Sequence, residues 1–398
     1  MNIRTLNLVR PQQHNSICRV KKNDLRPGFL YHLVLFLVLF LSVVGCGGDS
    51  GGKGRHYGLA NASFSNDNKY IVFDYCQGID GSSTCDIATY EIATGKVQRF
   101  NPTGNIFSSA VSYSPDGERI TFQSRNYDDL SESNIYVAKA DGSNAKQITG
   151  NASGKHDNKG AIIRFDSRPS FSNDGKRVIF KRAARVRERA YPLRGTMLSS
   201  FDVYEVELST GIECKLTDYS FYEMSKPYYL PDGGKFIFSA YGPTRKAGQF
   251  PANPEEYSQK YRNNNIFIMD GRKNEIRPAF VNGKSSERPS VSRDGDILFS
   301  SVTNEMDNLP GPKNNDLFLC RKGNITRVTK MGAYIQESSI STDGTRAVFY
   351  ADTNKTRKGR YTLWIVNTDG TGLSKIPLPW DELQKCKVQS FNDKARTR

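Results

Sequence analysis

One short pattern, repeated six times, restricts this chain more than any other feature of its sequence. An apolar run leads into Ser-x-Asp-Gly or a close variant, and a second apolar run follows that carries a Phe. The six turns are Phe64-Ser-Asn-Asp-Asn68, Tyr113-Ser-Pro-Asp-Gly117, Phe171-Ser-Asn-Asp-Gly175, Tyr229-Leu-Pro-Asp-Gly233, Val291-Ser-Arg-Asp-Gly295 and Ile340-Ser-Thr-Asp-Gly344. Their aspartates (Asp67, Asp116, Asp174, Asp232, Asp294 and Asp343) lie 49, 58, 58, 62 and 49 residues apart. A Phe stands six residues past the aspartate in five copies (Phe73, Phe122, Phe180, Phe238 and Phe349) and five past it in the other, at Phe299. Asp-Gly between two apolar runs predicts a tight hairpin, because Gly accepts positive φ and Asp caps the turn.

Each copy continues into a second strand pair. It opens at Asp86-Ile87, Asn134-Ile135, Asp202-Val203, Asn265-Ile266, Asp316-Leu317 and Thr362-Leu363. Several copies close on a further strand ending in Thr, as at Ile148-Thr149, Leu216-Thr217 and Val328-Thr329. Four short antiparallel strands, six times over, predict an all-β chain folded as a six-bladed β-propeller of four-stranded blades. Composition agrees: 11% of residues are aromatic and 34 are Gly, which favours strands and turns over a helical bundle. Tyr113-Ser-Pro-Asp-Gly-Glu-Arg-Ile-Thr-Phe-Gln-Ser124, followed by Asn134-Ile-Tyr-Val137, resembles the WD40-like PD40 repeat of the TolB-like propeller family, and the resemblance covers about residues 57–377. It implies an envelope location and a partner among peptidoglycan-associated or envelope-spanning proteins. Similar propellers also accompany peptidase domains and occur in polysaccharide lyases. Asn68 in the first turn departs from the repeat.

The N-terminus reads as an address. Residues 1–27 carry six Lys or Arg against Asp24, a net +5, and the uncharged run Leu33–Val44 leads to Gly45-Cys46. A basic segment, a short apolar stretch and a small residue before Cys describe a lipoprotein signal over residues 1–45, with Cys46 the lipidated residue. The apolar run is too short to span a bilayer, which takes about 20 residues. Residues 46–56 read as a flexible tether, 57–379 as the propeller and 380–398 as a tail; the segment before residue 60 and Lys387–Phe391 are alternative candidates for completing an outer edge. The expected place is the bacterial envelope, on the outer membrane facing the periplasm.

Length variation gathers in the connections between the second and third strands of each copy and between copies, which emerge on one face of a propeller, opposite the Asp-Gly turns. Loops on a rigid scaffold are where function concentrates. This face is basic. The third copy inserts Lys181–Arg194, with Lys181, Arg182, Arg185, Arg187, Arg189 and Arg194 against Glu188. Six residues before each turn aspartate stand Asn61, Ala110, Arg168, Lys226, Arg288 and Glu337. On inner strands these six ring the channel mouth, and three adjacent cations there favour a carboxylate or phosphate. The candidate binding set is therefore Arg168, Lys226, Arg288 and Glu337 with Arg185, Arg187 and Arg189. The expected ligand is an envelope protein or an anionic glycan; nucleic acid is discounted for an exported chain.

Catalytic signals are weak. Beyond residue 45 only His56 and His156 remain, too few for a His-based triad or a multi-His metal site. Gly52-Lys53-Gly54 lacks the Ser or Thr and the strand–helix setting of a phosphate loop. No cofactor, catalytic residue or metal ligand is assigned. Cys76 and Cys85 span a short connection in an exported chain, and a disulfide is expected there. The leading expectation is a non-catalytic, lipid-anchored scaffold. The alternative is a glycan hydrolase or lyase at the mouth, with Glu287 and Glu337 as an acid pair.

Overall fold

The computed structural model describes residues 56–79, 82–125, 133–150, 163–186, 198–219, 221, 223–241, 265–271, 275–280, 285–303, 314–353 and 361–390. The chain partitions between Val43 and Val44, and everything described belongs to the second unit. The signal segment 1–45, Cys46 and the tether up to residue 55 lie outside the described residues, as do Arg187 and Arg189.

The turn motif explains its own sequence. In the second copy Ser114 Oγ donates to Asp116 Oδ1, which also accepts from Glu118 N at 3.0 Å, while Gly117 N donates to Ser114 O at 2.9 Å. Gly117 sits at φ 77°, where a β-carbon is strained. The same Ser–Asp clasp recurs at Ser172/Asp174 and Ser341/Asp343. In the first copy Asn68 takes the Gly position at φ 57°, a conformation Asn tolerates. The strand-opening acids are equally structural. Asp202 accepts from Thr217 Oγ1 at 2.8 Å and from Tyr219 N at 2.8 Å, and Asp316 repeats this with Thr329 and Met331. In these two copies the Thr two residues past the fourth strand completes the clasp.

Among the described residues hydrogen bonding gives five sheets, of nine, four, five, four and four strands. This corrects the expectation of six separate four-stranded sheets. In the nine-stranded sheet, His56–Phe64, Tyr70–Ile79, Ser82–Glu91 and Val97–Asn101 form one antiparallel run, and Phe107–Tyr113, Arg119–Arg125, Asn134–Lys139 and Lys146–Gln147 form another. The two are joined where Cys85 pairs in parallel with Phe107 and Cys85 N donates to Ile106 O at 3.0 Å. In the five-stranded sheet the first strand breaks into Glu223–Met224 and Tyr228–Tyr229. Gln389–Ser390 adds the last strand of the nine, parallel to Val97–Asn101.

Sheets stack face to face in a closed circuit. The first strand of each copy packs beside those of the copies before and after it, and His56–Phe64 lies beside Tyr334–Ile340 of the last copy. Thr342 N donates to Asn68 Oδ1 at 3.1 Å, tying last copy to first. The core lies between neighbouring sheets, so that Phe73, Ile71 and Ala88 share a cluster with Val348, Tyr350 and Leu363 from the far end of the sequence. All six repeated Phe side chains are fully buried. After the last copy a helix, Trp380–Lys385, returns to the first sheet. Its Leu383 is buried, and Arg99 Nη1 donates to the Leu383 carbonyl at 3.0 Å. Cys76 and Cys85, cross-strand partners, are joined as a disulfide with Cα atoms 4.1 Å apart. Among the described residues no helix is long and apolar enough to cross a membrane.

Candidate functional site

The mouth positions occupy an irregularity built into every inner strand. Pairing with the second strand skips a step there in five copies, between Ala60 and Ser63, Ser109 and Ser112, Ser167 and Ser170, Glu287 and Ser290, and Ile335 and Ser338. In the remaining copy the strand break contains Lys226. Asn61, Ala110, Arg168 and Arg288 take positive φ of 52°, 59°, 55° and 55°, a strain of about 1 kcal/mol each for a residue with a β-carbon. The preceding copy holds the bulge in place through the side chain following its repeated Phe. Ala110 N donates to Asp74 Oδ1 at 2.9 Å, Arg168 N to Gln123 Oε1 at 3.0 Å, and Arg288 N to Ser239 Oγ at 2.9 Å. The bulge turns the mouth side chains inward.

Four of the expected binding residues meet there. Arg168 Nη1 donates to Glu337 Oε1 at 2.7 Å, and Arg288 Nε lies 3.8 Å from the same oxygen. Lys226 Nζ donates to the Val111 carbonyl at 3.2 Å. All four line a cavity of about 20 Å³, room for a single water. The three cations therefore do not stand open to solvent as a bare ring: Glu337 already sits between two of them. Burial acts to raise the Glu337 pKa, but Arg168 and Arg288 outweigh it and hold the carboxyl below its usual range. Burial, aided by Arg168, pulls Lys226 down to about 7.

The described part of the third-copy insertion, Lys181 to Val186, is strand and not loop. Arg177–Val186 pairs without a break against Leu198–Glu207, so Lys181 to Val186 are strand residues. Arg182 is held by Asp166 and Glu213. Lys181 Nζ donates to the Met224 carbonyl at 2.6 Å and lies over the Phe201 ring. Arg185 belongs to this strand, its side chain outside what is described.

No protein-family model and no curated protein matches the sequence. Solved structures do. TolB from Acinetobacter baumannii is 18% identical, over 87% of this chain and 69% of its own, with a TM-score of 0.44. An oligogalacturonate lyase in complex with manganese is 13% identical, over 82% and 81%, with a TM-score of 0.49. The acylaminoacyl peptidase of Pyrococcus horikoshii is 12% identical with a TM-score of 0.50, and the match covers 83% of this chain but 54% of that protein. Identities this low concern the architecture alone, which in this chain is the closed circuit of sheets. The fold is a β-propeller.

Sequence reasoning missed one residue of the propeller's mouth. Asp74 is buried, accepts from Asn61 Nδ2 as well as Ala110 N, and is pushed up to about 7 by that burial. Its signal was an acid directly after a core Phe, where the other copies have Gln123, Lys181, Ser239, Ser300 and Tyr350. Two neighbouring groups with opposite shifts give a definite pH response. Between pH 3.8 and 7 the folded state keeps a proton on Asp74 that the unfolded chain has released, so stability falls as pH rises. Between 7 and 10.5 the unfolded chain keeps the Lys226 proton that the folded state has lost, so stability rises. Urea unfolding across pH 4–10 is expected to show a minimum near 7 for this pair. Asp74→Asn should flatten the acidic limb while leaving the basic one. Identical profiles for wild type and variant would overturn the assignment.

Proposed function

We propose that this propeller is a non-catalytic scaffold of the bacterial envelope, tethered through a lipid on Cys46, that binds a carboxylate-bearing partner at its channel mouth. The observation that carries this is the placement of Glu337 between Arg168 and Arg288, with Lys226 on the same cavity wall. Two guanidinium groups already seat one carboxylate, and an acidic segment of a partner protein would meet the same donors. Arg185, Arg187 and Arg189 would extend this surface along the basic insertion, and an anionic glycan would satisfy the same charges. The blade count belongs to this reading: the nine-stranded sheet taken as two blades that share the Cys85–Phe107 link gives six. Removal of residues 1–45, and an outer-membrane location facing the periplasm, follow from the signal-like N-terminus and the resemblance to TolB-like repeats.

Glycan hydrolysis or elimination at the mouth is the weaker reading. Hydrolysis requires a carboxyl that carries a proton near neutrality, and Glu337 is held ionised by its arginines. Asp74 retains a proton at that pH, but the cavity whose wall Asn61 shares is water-sized and takes no sugar ring.

In-cell crosslinking with mass spectrometry tests the scaffold. Arg288→Gln is expected to reduce capture of the envelope partner by about tenfold, the loss of one charge-assisted contact. Lys322→Gln, at an exposed turn, should change nothing. Equal capture by wild type and Arg288→Gln, with both folded by circular dichroism, would refute mouth binding.

A further inference from the structure

The face bearing the Asp-Gly turns holds a cleft that no mouth residue lines. It lies between the first two four-strand runs of the nine-stranded sheet and has a volume of about 550 Å³, within the range of ligand sites. A single side chain distinguishes this junction from several others. Three residues after the turn aspartate stand Arg119, Arg177 and Arg346 in the second, third and sixth copies. Each guanidinium crosses to the turn of the next copy: Arg119 Nη2 donates to the Gly175 carbonyl at 2.9 Å, Arg177 Nη2 to Gly233 at 3.3 Å, and Arg346 Nη2 to Asn68 at 2.9 Å. From an adjacent strand, Arg321 does the same to Gly344 at 3.0 Å. In the first copy that position is Tyr70, which is 37% exposed, and the Asp116-Gly117 turn borders the cleft.

The walls suit what the other junctions contain. Tyr70 and Tyr113 supply ring faces, against which the stem and plane of an arginine stack. Asp67 and Asp116 come from the two flanking turns, and Glu91 and Asp141 from the ends of the third strands. Burial opposes the Asp67 charge, but its Ser65 and backbone donors outweigh it; Asp116 and Asp141 are lowered by hydroxyl and N–H donors from Ser114, Glu118 and Ser143. Of the two cations lining the cleft, Arg99 is already turned to Asp86 at 2.6 Å and Lys96 is the other; Asp67 and Asp116 also pair at longer range with Lys69 at 3.4 Å and Arg119 at 3.6 Å. A lining of four carboxylates against two cations, on a chain of formal charge +15, favours a cationic ligand over an anionic one.

We infer that this cleft docks an arginine-bearing peptide segment of a basic partner, the guanidinium reaching the Asp116-Gly117 turn as Arg119 reaches Gly175. The inference is independent of the mouth reading and concerns the opposite face. Its test titrates the full chain with acetyl-Arg-Arg-Arg-amide, and with acetyl-Lys-Lys-Lys-amide and a citrulline counterpart, by isothermal calorimetry. The arginine peptide is expected to bind most tightly, and the citrulline peptide to give no heat. Tyr70→Arg, which introduces in cis the donor used at the other junctions, should keep or raise Tm and weaken the arginine peptide by about tenfold, a difference of about 1.4 kcal/mol. Should that variant not fold, Glu91→Gln at the cleft wall carries the same question, with a loss of about threefold expected for one fewer carboxylate. Unchanged affinity in the folded variant, or equal heats from the arginine and citrulline peptides, would overturn the proposal.

Discussion

Replacing Arg182 by Leu is expected to destabilise the propeller by about 4 kcal/mol, among the largest single-residue effects in the molecule. Arg182 faces Asp166 in a two-pronged contact, Nε to Oδ1 at 2.5 Å and Nη2 to Oδ2 at 3.0 Å, and meets Glu213 through Nη1 and Nη2. The Asp166 side chain has no exposure to solvent and that of Arg182 has 11%. Burial works against the guanidinium charge, yet Glu213 and Asp166 together hold its pKa above the usual value. The rings of Tyr204 and Phe180 flank it, with the Tyr204 centroid 4.2 Å away. Leu would fill the apolar space between those rings but remove the two-pronged contact from the buried Asp166 carboxylate, and that loss is the main cost. Arg182→Lys keeps the charge and loses the fork, so a smaller loss of about 1–2 kcal/mol is expected. Urea unfolding of both variants gives the comparison. A cost under about 1 kcal/mol for Arg182→Leu would mean that Asp166 is satisfied without it.

Phe238→Ala is expected to cost a similar amount, about 4 kcal/mol, by a different mechanism. Phe238 is fully buried, meets Phe221 edge-to-face with centroids 5.2 Å apart, and contacts Phe267 and Phe236 at 6.0 Å each. Ile179 and Val203 of the preceding copy belong to the same cluster, so a cavity here loosens two sheets at once. Phe238→Leu refills most of the volume and should recover more than half of the loss. The measurement is again denaturant unfolding, with amide exchange to show whether opening begins at the sheets on either side. If Ala and Leu cost the same, the packing account of this position fails.

These two positions differ in how visible they are in the sequence. Phe238 stands six residues after a turn aspartate, like four other Phe, and that repetition alone marks it as core. Arg182 looks like one of a run of cations on a surface loop. Its partners Asp166 and Glu213 lie 16 and 31 residues away and come beside it only when Ile163–Phe171 and Glu213–Lys215 pair into the sheet. Part of the mouth is likewise legible in the sequence: the offset of six residues from each turn aspartate selects Arg168, Lys226, Arg288 and Glu337 because strands of one sheet type keep register with their turns. That offset carries no information about pairing across the channel. Glu337 and Arg168 are 169 residues apart, and their 2.7 Å contact turns an open ring of cations into a largely satisfied cluster.

What the sequence determined by itself is therefore local and periodic: the turns, the alternating strands, the buried Phe and the positions that face the centre. Each follows from interactions within a few residues, the Ser–Asp–Gly clasp and the two-residue strand period, so the chain states it copy after copy. The tertiary structure decided everything that depends on which copies become neighbours. It joined the first two copies at Cys85 and Phe107, brought the tail at Gln389 back to Val97–Asn101, buried Asp74 and half-buried Lys226 so that their pKa values shift, and left a cleft where Tyr70 replaces a bridging arginine. Ion pairing and desolvation act over distances of a few ångströms through space, across sequence separations that no local pattern encodes.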